Sequence, residues 1–307
     1  MYKELYDIPK YKTWEYIDKV NAGWSSDSKF YIEDKAGNKL LLRISDVSIY
    51  NRKRKEFEIV KKFNSLGFAM SQAIEFGICN NGKNVYILLT WVEGNSLSSA
   101  LEDLTEREQY DLGLQAGRIL KEIHSLSVDK TDIPVISKKE KMLHNLKRYE
   151  GSIVRIENDQ IAVDFVKDNI NKINSFSPVY KHGDFHVENL ILTNHGQIGV
   201  IDFNRWECGD KYEEFYKIQS FDIEVSIPFA IGQIEGYFNF QPSDEFWSVL
   251  AVYVAYSSLY SIVWAEKFGE DDVKAMKKRC IRAFEDYDDF ESIIPHWYKD
   301  NYMKYRE

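Results

Sequence analysis

The sequence is short of cysteine, of positive charge and of long apolar runs, and each shortage removes a class of protein. Cysteine occurs only at Cys79, Cys208 and Cys280. The number is odd, the spacing is wide and no CxxC pair occurs, so neither a disulfide framework nor a zinc site is expected. Such usage fits a reducing compartment, and a cytoplasmic location is the expectation. The formal net charge is −9 over 307 residues. Sequence-independent nucleic-acid binding rests on lysine and arginine neutralising phosphates, so no nucleic-acid partner is expected. An acidic chain suits a cationic small partner, although solubility alone also explains mild acidity. The opening stretch, MYKELYDIPKYKTWEYIDKV, is charged and aromatic and lacks the apolar centre of a secretion signal. No repeat and no low-complexity linker interrupts the chain.

Only one uncharged run is long enough to compare with a bilayer. It spans residues 246–264, FWSVLAVYVAYSSLYSIVW, with four serines and three tyrosines. That polarity, in a run without a second like it, reads as a buried helix, and no membrane partner is expected.

What is present is the composition of an ordinary folded chain, 44% hydrophobic and 29% charged. Its length allows two lobes around a cleft. The first ninety residues read as strands and one helix. Lys29–Glu33 and Lys39–Ile44 are β-prone and flank the polar stretch Asp34–Asn38, which predicts a hairpin. From Asn51 to Phe63 the apolar positions Phe57, Val60 and Phe63 predict a helix with one apolar stripe. Ala73–Gly77 and Val85–Thr90 read as further strands, joined by the turn Asn80-Asn81-Gly82.

After Thr90 the pattern changes. Thr105 and Glu108 form a capping box, and Leu112, Ala116, Ile119 and Ile123 follow as the core face of its helix. Ser137–Tyr149 reads as a basic surface helix, Tyr180 to Asp202 as loop and short strands, and the chain beyond Asp210 as mainly helical. The expected division is a β-rich lobe over residues 1–91 and a helical lobe over 92–307, an α+β architecture.

The chemistry concentrates in His182-Gly183-Asp184-Phe185-His186-Val187-Glu188-Asn189, followed by Ile201-Asp202-Phe203. Two carboxylates and an amide on a loop and at a hairpin end are the set that phosphoryl transfer requires. One carboxylate accepts or orients the proton of the attacking hydroxyl. The other, with an amide oxygen, holds Mg2+ against the phosphates. The histidines have no zinc-type partners.

These residues resemble the catalytic loop and metal-binding segment of the aminoglycoside phosphotransferase family, which shares the bilobal protein-kinase-like fold and is similar to choline and macrolide kinases. The resemblance implies Asp184 as base, Asn189 and Asp202 as Mg2+ ligands, and a structural role for His182; His186 is left to packing or solvent. Gly23-Trp24-Ser25-Ser26-Asp27-Ser28 resembles the loop that covers the nucleotide, so Gly23, Ser25 and Ser26 are expected at the ATP or GTP donor. In Leu41-Leu42-Arg43-Ile44, Arg43 stands where the family places a lysine for the α- and β-phosphates. A planar guanidinium can still bind phosphate. Glu56 resembles the acid that pairs with that cation, with Glu58 as the competing position. Leu88–Gly94 resembles the inter-lobe hinge, which implies the Thr90 carbonyl and the Val92 amide at the purine edge. His124 is read as structural, and Asp210 as a helix cap.

The segment after Asp202 resembles the border of the acceptor site. Arg205 could brace the loop or face phosphate, and Glu213 and Glu214 could meet a cationic acceptor or form a solvated helix face. The matches run from residue 20 to 215, and Asp202 follows Asp184 by eighteen residues (202 − 184). The family implies a Mg2+-dependent kinase acting as a monomer or weak dimer on a small molecule, an aminoglycoside antibiotic first among them. The acids Glu266, Glu270, Asp271 and Asp272 would suit a polycation. Macrolide, choline, sugar or amino-alcohol acceptors are alternatives, with Trp247, Tyr253, Tyr256, Tyr260 and Trp264 as cage or core residues. A non-catalytic nucleotide binder is the third reading. The absence of an APE-like segment after Asp202 speaks against a protein kinase.

Overall fold

The computed structural model describes residues 2–21, 27–173 and 177–306. Along the chain run β1 (Trp14–Val20), β2 (Ser28–Asp34), β3 (Lys39–Asp46), α1 (Tyr50–Phe63), β4 (Ala69–Met70), β5 (Ala73–Cys79), β6 (Asn84–Thr90), β7 (Gly94–Ser96), α2 (Leu97–Ala100), α3 (Glu106–Ser125), α4 (Lys138–Glu150), α5 (Gln160–Asn169) and β8 (Val179–Lys181). There follow β9 (Leu190–Thr193), β10 (Ile198–Val200), β11 (Glu207–Gly209), α6 (Ile223–Val225), α7 (Ile227–Phe238), α8 (Asp244–Ala265), α9 (Glu270–Asp286) and α10 (His296–Lys299). The fold is α+β and protein-kinase-like, with an N-terminal sheet and a mainly helical remainder. The chain divides into two compact units, Met1–Asn95 with Ile191–Asn204, and Ser96–Leu190 with Arg205–Glu307.

In the first unit five antiparallel strands lie in the order β1-β2-β3-β6-β5. Alternation sorts their side chains between the two faces. Phe30, Ile32, Leu40, Leu42, Ile44, Tyr86 and Leu88 pack with Leu5, Ile8 and Trp14 in one apolar cluster. Lys29 and Arg43 belong to the opposite set and face one another in register across β2 and β3. The expected hairpin closes on Asp34, whose Oδ1 accepts the amides of Ala36 (2.9 Å) and Asn38 (2.8 Å). β1 carried no strand signal in the sequence, because most of its side chains are exposed or half-buried. As an edge strand it has only β2 beside it, and charges there discourage pairing with another chain. Segment 191–204 joins this unit because β10 pairs in parallel with β4, Gly199 opposite Ala69.

The helix α1 buries Val60 and Phe63 as its apolar residues predict, but its inward face also takes in charged residues. Lys53 and Glu56 are buried beside Ile59, Val60 and Phe63, while Phe57 is only half-buried. Two charges on an inward face require partners, and these appear at the candidate site.

The second unit is built on α3 and α7. The capping box of Thr105 and Glu108 starts α3 as expected. Of the predicted core face, Ala116, Ile119 and Ile123 are buried and Leu112 is only half-buried; the buried face turns instead to include Gly113, Leu114, Gly117 and Leu120. The glycines are the reason. A Cβ at Gly117 would lie 2.1 Å from the Gln233 carbonyl oxygen, and one at Gly236 would lie 2.2 Å from that of Leu114. Bare backbone on both helices permits that approach. The uncharged run forms most of α8, a helix long and apolar enough to cross a membrane, but its most apolar window is 83% buried within the protein.

Candidate active site

In the second unit the motif loop follows β8. Antiparallel pairing of β8 with β11 sets Lys181 opposite Glu207. The same pairing carries the chain back to the loop. Gly183 has φ +81°, and a Cβ there would lie 1.9 Å from the Arg205 carbonyl oxygen, so only glycine fits. The loop amides are held by one buried carboxylate. Glu214 accepts His182 N–H at Oε2 (2.8 Å) and Gly183 N–H at Oε1 (2.9 Å). Burial pushes the Glu214 carboxyl up to about 7, against the opposing pull of Lys181 and these amides. His182 is fully buried, and its Nδ1 accepts the Asp184 N–H at 3.2 Å. Asn189 Nδ2 donates to the Asp184 carbonyl at 2.8 Å.

The Asp184 carboxylate has an asymmetric environment. Oδ1 lies 2.6 Å from Lys217 Nζ and 3.5 Å from His186 Nε2. Oδ2 lies 3.6 Å from Arg205 Nε, beyond hydrogen-bond length. Burial alone would raise the Asp184 pKa. The His186 hydrogen bond and the charges of Lys217 and Arg205 prevail and hold it well below the usual carboxylate range.

Lys217 directly precedes a π-helical turn, Ile218–Asp222. This turn braces the loop twice more. Asp222 Oδ1 accepts the Val187 N–H at 2.9 Å, and Phe221 stacks on His186 with centroids 4.7 Å apart. His186, given no function by the sequence, thus joins Asp184 on one side to the π-turn on the other. Neither Lys217 nor Asp222 was legible as a site residue. They lie 33 and 38 positions beyond Asp184 (217 − 184, 222 − 184) and belong to no motif.

Of the acids offered to a cationic acceptor, Glu213 and Glu214 are otherwise engaged, while Glu266, Glu270 and Asp271 are exposed. Glu214 holds the loop, and Glu213 is a buried partner of both Lys181 and Lys138. Asp210 caps the 3₁₀ turn Lys211–Phe215 by accepting the Tyr212 N–H at 2.9 Å. Of the α8 aromatics, Trp247, Tyr253 and Tyr256 are buried. The rings of Tyr260 and Trp264 carry the chain's own cations: Arg148 lies 5.7 Å from the first, Arg205 and Lys267 lie 5.8 and 5.1 Å from the second. Packing and internal cation–π contacts account for these aromatics.

In the first unit, Arg43 and Glu56 meet as the resemblance implies. Arg43 Nη1 donates to Glu56 Oε1 at 2.8 Å, and Arg43 Nε donates to Asp27 Oδ2 at 3.1 Å. Lys53 Nζ joins both acids, at 2.7 Å to Asp27 and 2.9 Å to Glu56. These are the partners that α1 needed for its buried charges. Burial opposes ionisation of Asp27, but Arg43 and Lys53 bring its pKa down to about 2. Glu58 is exposed and pairs with Arg54. Asp202 sits at φ +63°, a left-handed conformation uncommon outside glycine. Its carboxylate lies 3.0 Å from Lys29 Nζ and 3.5 Å from Arg43 Nη1. Thr90 ends β6 and Val92 follows it; the neighbouring Trp91 N–H is tied to the Lys39 carbonyl at 2.9 Å. Gly23, Ser25 and Ser26 lie outside the described residues.

Within the second unit, the Asn189 amide nitrogen is spent on the Asp184 carbonyl, which leaves its amide oxygen as acceptor. Among the described residues no group of three or more histidines, cysteines or acids is placed to hold a metal ion.

The sequence model of the APH phosphotransferase enzyme family matches residues 17–247. The chain belongs to this family. As an APH phosphotransferase it is an enzyme acting on small-molecule substrates, which sets aside the non-catalytic reading. No curated protein matches the sequence. Solved structures share the fold. A GDP complex of a mutant aminoglycoside 2'-phosphotransferase IIIa is 13% identical with TM-score 0.74, covering 94% of this chain and 97% of that one. An amicoumacin kinase with AMP-PNP, Ca2+ and Ami is 13% identical with TM-score 0.67, covering 98% of each chain. A gentamicin complex of APH(2")-IIa is 18% identical with TM-score 0.65, covering 89% and 92%. At these identities the likeness is one of fold.

Proposed function

We propose that this phosphotransferase moves the γ-phosphoryl group of ATP or GTP to a hydroxyl of a small molecule, with a divalent cation, Mg2+ first among candidates. The observation that carries the reading is the asymmetry of Asp184. Lys217 fixes Oδ1 at 2.6 Å, and Oδ2 remains for the acceptor hydroxyl. A carboxylate held so far below its usual pKa orients a hydroxyl and takes its proton late, in keeping with a loose transition state. Asn189 and Asp202 are the residues assigned to the cation, which when bound would offset phosphate charge. Thr90 and Val92 are assigned to the purine edge, and a cation of the first unit's sheet to the phosphates. The first lobe, residues 1–91, is read as the nucleotide side and 92–307 as the catalytic and acceptor side, in a cytoplasmic enzyme.

An aminoglycoside is the first acceptor class to assay, because structures of this fold hold gentamicin and hygromycin B. The engagement of Glu213 and Glu214 gives that class no specific support, so the panel extends to macrolides, choline, sugars and amino alcohols. The test is nucleotide-dependent ADP or GDP release across the panel with Mg2+, repeated with EDTA. Turnover with a cationic antibiotic and its loss with EDTA are expected. Turnover confined to other members sinks the antibiotic assignment, and turnover that Asp184→Asn leaves intact sinks the role of Asp184.

A further inference from the structure

Arg43 occupies the strand position where a phosphate-binding cation is expected, yet its guanidinium is already committed. Its residue is 3% exposed. Nε and Nη2 donate to Asp27 and Nη1 to Glu56. Lys53 closes the same group by meeting both acids. Two cations and two carboxylates balance in charge. Removing one member leaves a buried charge without its partner, so the cluster resists giving up Arg43 to an incoming ligand.

Lys29 stands directly opposite Arg43 across the β2–β3 ladder. Like charges in that position repel unless a carboxylate lies near both, and Asp202 does. Unlike Arg43, Lys29 keeps some exposure, 13% of its side chain, and its single ion pair among the described residues is to Asp202 Oδ2 at 3.0 Å. Asp202 is the carboxylate assigned to the divalent cation, so its engagement there would release the ammonium. An ammonium on a four-carbon stem can swing to a new anion, whereas a forked guanidinium held at three nitrogens cannot.

We propose that Lys29, rather than Arg43, is the cation that meets the α- and β-phosphates of the nucleotide, and that Arg43 is a positioning residue holding Asp27 and Glu56. The proposal rests on the nucleotide-dependent reading of the site. It differs from the family pattern in strand: the phosphate cation comes from β2, one strand over, in the same register.

The experiment measures the dissociation constant of a fluorescent ADP analogue, with Mg2+, for the parent, Lys29→Met, Lys29→Arg and Arg43→Lys, alongside each protein's melting temperature. Loss of one charge-assisted contact predicts a weakening on the order of 10- to 100-fold for Lys29→Met at an unchanged melting temperature, with partial recovery in Lys29→Arg. Arg43→Lys should chiefly lower the melting temperature. Lys29→Met binding within twofold of the parent overturns the proposal and leaves the nucleotide reading intact. A parent that binds no adenine or guanine nucleotide overturns both. If Arg43→Lys cannot be purified folded, the Lys29 pair alone decides.

Discussion

Lys217 Nζ lies 2.6 Å from Asp184 Oδ1, and the lysine side chain is only 7% exposed. The pair joins residues 33 positions apart (217 − 184), on a motif loop and beside a π-helical turn. π-turns are rare and recur at functional sites, and here one, with the lysine that precedes it, delivers three contacts to a single loop. Under the proposed function, fixing one oxygen leaves the other for the acceptor hydroxyl.

Replacing Lys217 with Met should therefore lower kcat by roughly 100-fold, the scale of a lost positioning or general-base contribution. The nucleotide KM should stay within about threefold. Lys217→Arg should restore part of the loss. A purely structural lysine would instead lower the melting temperature and leave kcat per folded molecule unchanged.

Glu214 makes a pH prediction. Its carboxyl titrates at about 7 in the folded protein against a reference of 4.5, because burial disfavours its charge. Between these values the folded state binds the extra proton, so this group's contribution to stability declines as pH rises from about 4.5 to 7. His124 acts oppositely: burial brings its pKa down to about 3 from 6.5, which favours the folded state as pH rises. The informative quantity is thus the difference between parent and Glu214→Gln. The melting temperature of the variant should gain on the parent from pH 5 to 7. Parallel curves would refute the assignment.

Gly117 tests the helix crossing. A Cβ there meets the Gln233 carbonyl at 2.1 Å, and backbone cannot yield as a flexible side chain does. Gly117→Ala should cost about 1–3 kcal/mol, seen in denaturant unfolding. Gly37→Ala is a control for space, having nothing within 4 Å of its Cβ, although its φ of +82° brings a strain of its own. A Gly117→Ala protein as stable as the parent would refute the tight crossing.

Asp27 and its partners test the buried charge cluster. Arg43 and Lys53 outweigh burial and hold Asp27 at about 2, below its reference of 3.8. That stabilisation is present above the reference value and is lost as pH falls toward 2. Asp27→Asn should reduce stability at pH 7 more than at pH 3, measured by denaturant unfolding. An equal effect at both would remove the cluster from the account of α1.

Much of this was written in the sequence. Local patterns gave the hairpins, because Asp34, Gly37 and the Asn80-Asn81-Gly82 turn act within a few residues. They gave the capping box of α3 for the same reason. The motif residues Asp184, Asn189 and Asp202, and the partnership of Arg43 with Glu56, were legible through the family resemblance that the HGDFHVEN and IDF segments carry. Lys29, Lys217, Asp222 and the task of Glu214 were not. Each acts through a neighbour brought by strand register, by a π-turn or by a returning chain, and an isolated lysine or acid carries no periodicity to announce that. The sequence by itself determined the family and the residue types of phosphoryl transfer. Tertiary structure decided which charges are committed and which remain available, since burial and partner distance set the state of an ionisable group, and neither is a property of the residue alone.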